Sequence, residues 1–283
     1  MLTLSANKII TADTCKRMLY YRYILEIKNQ VKSSNLAFGS AIDTALMTYL
    51  LAITMGHQVH DLEAVFLEKW EEETDCEVEY TVTKTPKKLV EMGKKMVSLF
   101  PEAWEKSGLM ILVMPDGSPA LQVQLSCSLK DKLNLRGYLD LIAMNDDGEI
   151  IVIDLKTAAA KYGEVFAWQS DQLTAYNILV EANREALGID TVDQLGFMCM
   201  LKKTNPVIEQ PHLIPARSSQ EIAEFRQKCF DIETTFNQRR FYKASRHAFN
   251  NPCELCDFKQ LCTFGDTDGL IIPDKSKPLL QAA

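Results

Sequence analysis

Membrane-spanning runs and a secretion signal are both missing from this sequence. Its longest apolar runs fall short of a span, and the N-terminal MLTLSANKIITADTCKR lacks the charged start and long apolar core of a signal peptide. We therefore expect a cytoplasmic protein with no membrane contact. Disulfide bonds are rare in that compartment, so the eight cysteines are expected to stay reduced or to bind metal.

Positive net charge is missing as well. The 31 lysines and arginines against 38 acidic residues give a net charge of −7, which excludes a surface that is basic throughout but not a local basic groove. The 283 residues also contain no internal repeat and no low-complexity linker. We predict one domain over 1–283, with a helical N-terminal part (1–110), an α/β core that carries the chemistry (111–216) and a C-terminal helix with a cysteine segment (217–283).

The spacing of apolar residues predicts the secondary structure. Helical spacing predicts helices over 11–32, 36–55, 60–76, 86–107, 163–187 and 217–244. Residues typical of strands predict strands over 120–131, 133–145, 149–158, 194–203 and 207–216. The NDDG at 145–148 predicts a hairpin turn. The expected fold class is therefore α/β, with a mixed sheet flanked by helices.

The most informative stretch is GYLDLIAMNDDGEIIVIDLKT (137–157). Asp154 and Lys156 are two positions apart on an apolar, buried strand, so their side chains share a face, and Asp140 can lie close on the antiparallel neighbour. Two carboxylates in a dry site repel each other unless a cation lies between them, and oxygen ligands suit Mg²⁺ or Mn²⁺. The alternative is a structural ion pair between Asp154 and Lys156, with Asp140 as a turn residue.

Together with QLTAY on the following helix, this stretch resembles the nuclease core of the PD-(D/E)XK superfamily, in its RecB-like branch. The resemblance extends over 15–262. It implies a restriction-endonuclease-like fold, an active site that uses Mg²⁺ or Mn²⁺, and hydrolysis of DNA.

The resemblance also implies a role for each matching residue. The catalytic set is Asp140, Asp154, Lys156, Gln172 and Tyr176. Asp140, Asp154 and the backbone carbonyl of Leu155 would bind the metal ions, and Lys156 would support the attacking water. The last two members of the set, on the following helix, would line the DNA side of the site.

One position departs from the family pattern. RecB-like nucleases carry a metal-binding histidine on an early helix, whereas FGSAIDTAL has Asp43 at that place. The apolar face predicted for this helix consists of Leu36, Gly39, Ile42, Leu46, Met47 and Leu50. Asp43 falls in the middle of that face, where an uncompensated carboxylate is costly. We prefer a third metal-binding carboxylate; the alternative is a buried aspartate that caps the backbone or pairs with a lysine.

Three cysteines of NPCELCDFKQLC (251–262) have C-x2-C-x5-C spacing and need a fourth ligand. Residues that qualify by type are Cys15, Cys76, Cys127, Cys199, Cys229 and His247. The resemblance to AddB-type and CRISPR-associated iron–sulfur exonucleases, with one cysteine ahead of the core and three behind it, favours a structural [4Fe–4S] cluster. Its ligands would be Cys15, Cys253, Cys256 and Cys262. Zinc is the alternative metal.

These expectations combine into a metal-dependent DNA exonuclease acting on single strands or DNA ends, because neither a sequence-reading module nor a helicase P-loop is found. Basic residues that could contact phosphates are Lys156, Lys161, Lys202, Lys203, Arg239 and Arg240. Tyr162 and Trp168 could stack on bases of a single strand.

The resemblance implies a bacterial or phage-encoded protein of recombination, repair or phage DNA metabolism, with a helicase or recombination protein as a possible partner. The alternatives are a non-catalytic nucleic-acid-binding or assembly module that holds zinc, and a zinc-stabilised adaptor with structural acidic residues.

Overall fold

The computed structural model describes residues 1–82, 84–244 and 252–277. The helices are α1 (Ala6–Thr14), α2 (Lys16–Leu19), α3 (Ser34–Met55), α4 (Leu62–Thr74), α5 (Pro86–Ser107), α6 (Glu164–Trp168), α7 (Asp171–Ala182), α8 (Arg184–Leu187), α9 (Ser219–Asn237) and α10 (Lys259–Phe264), with a π-helical turn (Tyr20–Ile24) and a 3-10 turn (Asp274–Ser276). The strands are β1 (Leu2–Leu4), β2 (Lys28–Asn29), β3 (Lys32–Ser33), β4 (Val78–Glu79), β5 (Met110–Ile111), β6 (Leu121–Lys130), β7 (Leu133–Met144), β8 (Ile150–Ala158), β9 (Gln194–Leu201), β10 (Val207–Ile208), β11 (His212–Pro215) and β12 (Leu270–Ile271).

Eight strands form a mixed sheet with β7, β8 and β9 at its centre. The β7–β8 pair is antiparallel, and the β8–β9 pair is parallel. A parallel pair needs a long crossover, which the segment with α6 and α7 provides. The sheet therefore confirms the expected fold class, a mixed sheet flanked by helices.

The central strand β8 is buried on both faces, because Ile150 to Leu155 are all shielded from solvent. On one face it packs into a core with α1, α7 and α9, and on the other into a core with α3, α4 and α5. Such continuous apolar strands are typical of sheets covered on both sides. Asp154 is the only charged residue in this buried run, so its position requires a compensating environment.

The long helix α3 forms much of the second core. Ser33 caps its start and Gly56, with φ 66°, ends it. By length and composition α3 could cross a membrane, contrary to the expectation that no apolar run is long enough, but half of its apolar window is buried inside the fold. The predicted apolar face is wrong at Leu36, which is 68% exposed near the helix start. Phe38 takes the buried position there, packing edge-on against Phe66.

The N-terminal region differs from the helix predicted over 11–32. Ser5 caps α1 early, and the chain is extended at Cys15, with φ −165° and ψ 119°, so α1 ends at Thr14. The short β1 lies inside the part expected to be helical, yet it joins the main sheet parallel to β7. An extended residue cannot continue the helical hydrogen-bond pattern, so Cys15 divides the predicted helix.

Three other predicted elements are too long. The helix expected over 163–187 is divided into α6, α7 and α8, because Ser170 and Asn183 interrupt it and cap the pieces. A capping box at Ser218 starts α9, which ends at Asn237 rather than continuing to 244. The strand expected over 207–216 is two short strands, β10 and β11, that both pair with β9.

Candidate active site

The candidate site lies where the strands β7 and β8 separate. Their pairing ends at Leu141 and Ile153, so the next residues, Asp140 and Asp154, stand opposite each other without a strand hydrogen bond. Asp140 Oδ2 accepts a hydrogen bond of 2.8 Å from the backbone N–H of Leu155. The fork therefore places both predicted carboxylates, and the backbone of Leu155 between Asp154 and Lys156, side by side.

The Asp154 carboxylate is held from three sides. Its side chain is 1% exposed, and its Oδ2 lies 2.6 Å from Lys156 Nζ in an ion pair. Oδ1 accepts a hydrogen bond of 2.7 Å from Gln172 Nε2 and lies 3.3 Å from the hydroxyl of Tyr176. The ion pair does not have hydrogen-bond geometry, so Oδ2 has no hydrogen-bond donor among the described residues. A buried anionic oxygen without a donor is suited to a cation.

Helix α7 delivers Gln172 and Tyr176 to the site from one face, as expected for residues one turn apart. Gln172 Nε2 also donates to the Tyr176 hydroxyl at 2.8 Å, and that hydroxyl donates to the backbone carbonyl of Tyr138 at 2.9 Å. Burial raises the pKa of Tyr176 far above its usual value, so the phenol stays neutral. In this arrangement both side chains orient Asp154, while their predicted contact with DNA stays a prediction.

Asp43 reaches the same site from α3. Gly39, one turn earlier, lies next to β8, since a Cβ there would be at an ordinary contact distance of 3.6 Å from Thr157 Oγ1. Asp43 Oδ2 accepts a hydrogen bond of 2.8 Å from Gln122 Nε2. Burial raises the pKa of Asp43, and the negative charge of Asp154 adds to this shift. Asp43 therefore lies within the electrostatic field of the two strand carboxylates, although it comes from a different element.

The ionisable groups of the site shift one another's pKa values. Burial raises the pKa of Asp140 well above its usual value, and the charge of Asp154 raises it further. Burial also raises the pKa of Asp154, against the opposing effect of Lys156. Burial lowers the pKa of Lys156, but the neighbouring Asp154 outweighs burial and leaves the pKa above its usual value. Lys156 is thus a fixed cation beside carboxyl groups that resist ionisation.

A divalent cation fits this donor set. The three carboxyl groups of Asp43, Asp140 and Asp154 are oxygen donors whose raised pKa values reflect missing positive charge. As placed, no three Asp, Glu, His or Cys side chains in the described parts of the chain surround a common point at metal-binding distance. Lys156 and Gln172 hold the Asp154 oxygens instead, so a bound ion would have to compete with those contacts.

Gln122 is a further residue of the site, and the sequence did not predict it. It lies opposite Asp140 across the strand pair β6–β7, because its neighbours pair as Leu121 with Leu141 and Val123 with Leu139. Its φ of 48° is in the left-handed region that non-glycine residues avoid. In the sequence Gln122 is an ordinary exposed position of a strand, and no pattern could have revealed its backbone conformation.

The family model for the PD-(D/E)XK nuclease superfamily matches residues 3–263. The chain belongs to the PD-(D/E)XK nuclease superfamily. The mixed sheet flanked by helices is consistent with the restriction-endonuclease-like fold of this superfamily, as expected.

Solved structures of low similarity are also found. The protein SSO0001 is 14% identical, with 92% of this chain and 85% of that chain covered and a TM-score of 0.43. A candidate exonuclease from Eubacterium rectale is 15% identical, with 91% of this chain and 87% of that chain covered and a TM-score of 0.49. No curated protein matches the sequence.

The basic residues predicted to contact phosphates in this PD-(D/E)XK protein have different local contacts. Lys161 pairs with Glu209 at 3.0 Å. Lys202 Nζ donates to Asn35 Oδ1 at 3.2 Å, and Lys84 Nζ donates to the same oxygen at 3.0 Å. The predicted positions Lys203, Arg239 and Arg240 are exposed. Lys84 was not predicted; the pattern of basic residues around it resembles that of an ordinary solvated helix face.

The four predicted cluster cysteines line one pocket. Cys15, at the break between α1 and α2, faces Cys253, Cys256 and Cys262 of the C-terminal segment across it. The thiol of Cys15 accepts a hydrogen bond of 3.4 Å from the N–H of Ala244. Burial raises the pKa of the Cys256 thiol.

The residue types that line the pocket suit an all-thiolate cluster or a zinc ion, but as placed no three of these thiols in the described parts of the chain surround a common point at metal-binding distance. The pocket's other lining residues include the apolar Met18 and Phe258 and the phenol of Tyr21. Four thiols in a partly apolar pocket form the donor set of iron–sulfur and structural zinc sites alike. Among the other described candidates, Cys199 and Cys229 are buried in the core, Cys127 packs against it, and Cys76 is exposed, and none of them lines this pocket. His247 lies outside the described residues.

Proposed function

We propose that the protein is a Mg²⁺- or Mn²⁺-dependent exonuclease that hydrolyses phosphodiester bonds of single-stranded DNA or of DNA ends. The observation that carries this proposal is the meeting of Asp140, Asp154 and Lys156 at the strand fork of a PD-(D/E)XK chain. Two buried carboxyl groups face each other there with Lys156 as their one cationic neighbour among the causes of their pKa shifts, which is the charge imbalance that a divalent cation would relieve.

The divalent ion supplies the Lewis acid for phosphate and water. The protein's own residues supply the rest. Asp43, Asp140, Asp154 and the Leu155 carbonyl would hold the ion. Lys156 stays protonated, so it orients a water molecule and stabilises the charge that develops on the phosphate. Gln172 and Tyr176 fix the Asp154 carboxylate, which keeps its ligand oxygen directed into the fork.

Digestion of end-labelled single- and double-stranded DNA with Mg²⁺ or Mn²⁺ tests this function. We expect loss of cleavage, by at least about a hundredfold, for Asp154→Ala and for Asp43→Ala. Far-ultraviolet circular dichroism of each variant should match that of the wild type. Wild-type cleavage by Asp43→Ala would remove Asp43 from the metal site, and cleavage by Asp154→Ala would overturn the assignment of the site.

The cysteine pocket is proposed to hold a structural [4Fe–4S] cluster through Cys15, Cys253, Cys256 and Cys262. The support is the convergence of four thiols from the two ends of the chain. Purified protein should be brown and contain about four iron atoms per chain. A colourless protein with one zinc per chain would replace the cluster by zinc.

A second candidate is a non-catalytic nucleic-acid-binding or assembly module. The ion pair between Lys156 and Asp154 favours it, because the lysine occupies the acid that a metal would need. Such a protein would bind labelled oligonucleotides but never cut them with Mg²⁺ or Mn²⁺. In either case we propose a place in bacterial or phage DNA recombination or repair, in the cytoplasm, beside a helicase or recombination protein.

A further inference from the structure

An exposed face of the strand pair β6–β7 leads directly to the strand fork. A Cβ at Gly137 of β7 would lie 2.7 Å from a side chain of α7, and Leu139 is buried in the core with that helix. Because side chains alternate along a strand, Arg136 and Tyr138 project from the opposite face, and both are exposed. Tyr138 precedes Asp140 by two positions, which is about 7 Å along the strand.

The face is polar, and none of its six side chains is acidic. They form three directly opposite pairs across the two strands, which are Gln124 with Tyr138, Ser126 with Arg136 and Ser128 with Asn134. All are exposed except the half-buried Asn134, so the described part of the chain leaves this face open to solvent. In a chain of net charge −7, an open face whose only charge is an arginine is suited to an anionic partner.

A second cation lies beside this face. Burial lowers the pKa of Lys8 in α1, and the positive charge of nearby Arg136 lowers it further. Lys8 Nζ donates to the backbone carbonyl of Thr3 at 2.9 Å and lies 5.5 Å from the centre of the Tyr23 ring. Within the described ranges neither cation forms an ion pair with a carboxylate, so an anion between them would relieve their repulsion.

Tyr138 is the exposed aromatic residue of the face. The residue is 61% exposed, whereas its backbone carbonyl accepts a hydrogen bond of 2.9 Å from the Tyr176 hydroxyl. That hydroxyl lies 3.3 Å from Asp154 Oδ1. The ring is therefore open to solvent while its backbone is fixed to the catalytic carboxylate. Exposed rings of this kind stack on the bases of single strands.

We propose that this face holds the single-stranded segment of DNA next to the phosphate that is cleaved. One base stacks on Tyr138, Arg136 and Lys8 bind backbone phosphates, and the four neutral side chains of the face donate hydrogen bonds to the strand. The six residues from Asn134 to Asp140 span about 20 Å, which gives room for a few nucleotides. This inference rests on the proposed nuclease function and deepens it, because a base inside a duplex could not cover the ring without leaving its stack.

Binding of a fluorescein-labelled single strand of thymidines tests the stacking. The full-length Asp154→Ala protein, which should not cut, is titrated with this strand and with a duplex of the same length. Tyr138→Ser in that background should weaken single-strand binding about tenfold, because stacking on one ring is lost, and duplex binding much less. Tyr138→Trp keeps an aromatic face and should bind as the parent does. Phe264→Ser, at another exposed aromatic residue, is the control and should change neither affinity.

The salt dependence of the same binding tests the cations. Arg136→Gln should lower the slope of log K against log salt by about 0.7, the share of one phosphate contact on a single strand. Arg226→Gln is the matched control, because this exposed arginine lies on α9, outside the face. An equal slope for the two variants would remove Arg136 from the contact with DNA and overturn the proposed path of the strand.

Cleavage kinetics separate substrate binding from damage to the fork. In the protein with Asp154 intact, Tyr138→Ser should raise KM for single-stranded DNA about tenfold and leave kcat unchanged, because the ring binds the ground state and the transition state alike. A lower kcat at unchanged KM would assign Tyr138 to the structure of the fork and overturn the proposal. Equal losses on single strands and duplexes would also overturn it.

Three results distinguish this proposal from the nuclease function. A wild type that neither binds nor cuts DNA refutes both. A wild type that cuts, with Tyr138→Ser and Arg136→Gln variants of unchanged affinity and KM, overturns the binding face while the nuclease function stands. A protein that binds single strands through Tyr138 and Arg136 but never cuts supports the binding face and refutes the nuclease function.

Discussion

Gln122 combines a strained backbone with a contact to a proposed metal ligand. Its left-handed φ of 48° costs on the order of 1–2 kcal/mol for a residue with a Cβ. The conformation directs the amide to Asp43 at 2.8 Å, across from Asp140. Strain of this kind is maintained where the surrounding structure uses it.

Replacing Gln122 by glycine should therefore stabilise the fold but weaken the site. Relief of strain, less the entropy cost of glycine, should raise the free energy of unfolding by about 0.5–1 kcal/mol. Loss of the amide that fixes Asp43 should lower Mg²⁺ or Mn²⁺ affinity and cleavage about tenfold. Thermal unfolding and metal titration measure the two effects.

Lys132 provides the matched control, because it also has a left-handed φ, 63°, in the exposed turn between β6 and β7. Lys132→Gly should give a similar gain in stability with unchanged cleavage. If Gln122→Gly behaved in the same way as Lys132→Gly in both measurements, the strain at Gln122 would have no role in the site.

Because the pKa of Asp140 is raised, we expect the free energy of unfolding to depend on pH in the absence of metal. Burial raises its pKa in the folded protein, with the charge of Asp154 as a further cause, whereas the unfolded value is about 3.9. A group raised in this way stabilises the folded state below about pH 4, and that contribution is lost as pH rises through the folded pKa. In EDTA, the wild type should lose stability between about pH 4 and neutrality.

Asp140→Asn should remove most of that loss, because the amide never ionises. At pH 8 in EDTA the variant should melt a few degrees above the wild type, whereas near pH 4 the two should melt together. Added Mn²⁺ should raise the melting temperature of the wild type and not of the variant. A wild-type curve that is flat between pH 4 and 8 would contradict the raised pKa.

Among the helices, α4 and α5 show how closely the second core is packed. Gly93 of α5 faces Phe66 of α4, and a Cβ at Gly93 would lie 2.0 Å from Phe66 Cζ. Phe66 is fully buried and also packs on Phe38 and Trp70, so it cannot move aside freely. The two helices meet through a glycine because no larger residue leaves room for the ring.

Gly93→Ala should lower the free energy of unfolding by about 1–3 kcal/mol, since overpacking exceeds the gain in helix propensity. The control is Gly39→Ala in α3, where the added methyl meets only an ordinary contact of 3.6 Å; it should be neutral or stabilising. Denaturant unfolding of both variants decides the point. A Phe66→Leu change that restores stability to Gly93→Ala would identify the ring as the obstacle.

The same helices show what local sequence could predict. The predicted limits of 86–107 match α5, because Thr85 caps it, Pro86 occupies its first turn and Gly108 ends it. Cys15 carries no such signal, and its extended backbone follows from its place beside the C-terminal cysteines. Contacts between distant parts of the chain decide that break, so an interpretation of neighbouring residues could not find it.

In the candidate site, too, some residues could be predicted from local sequence and others could not. Asp140, Asp154 and Lys156 stand on two consecutive strands, so strand periodicity and one hairpin turn suffice to bring them together. Gln122 reaches the site through a backbone angle that its residue type disfavours.

The cysteine pocket connects the two ends of the chain. Cys15 follows α1, and the other three lining cysteines precede or lie in α10, more than two hundred residues later. The same region joins Tyr21 to Phe258 by an edge-to-face ring contact and β2 to β12 by strand pairing. Ion pairs between Arg22 and Asp257 and between Glu26 and Lys275 also join the two ends. All of these contacts are few and mostly at the surface, so a metal would add substantially to them.

A bound cluster should therefore contribute strongly to stability. Closing a loop of this length restricts the unfolded chain by an amount that corresponds to about 5–6 kcal/mol in the chain-entropy account. Cys256→Ser should lose the iron and the broad visible absorption, melt on the order of 10 °C lower, and release the C-terminal segment to limited proteolysis.

Cys76→Ser, at an exposed cysteine far from the pocket in the sequence, should keep all three properties. Cleavage by Cys256→Ser should persist at low temperature, because the strand fork contains no cysteine ligand; equal melting temperatures and equal metal contents for the two variants would show that the pocket holds no metal.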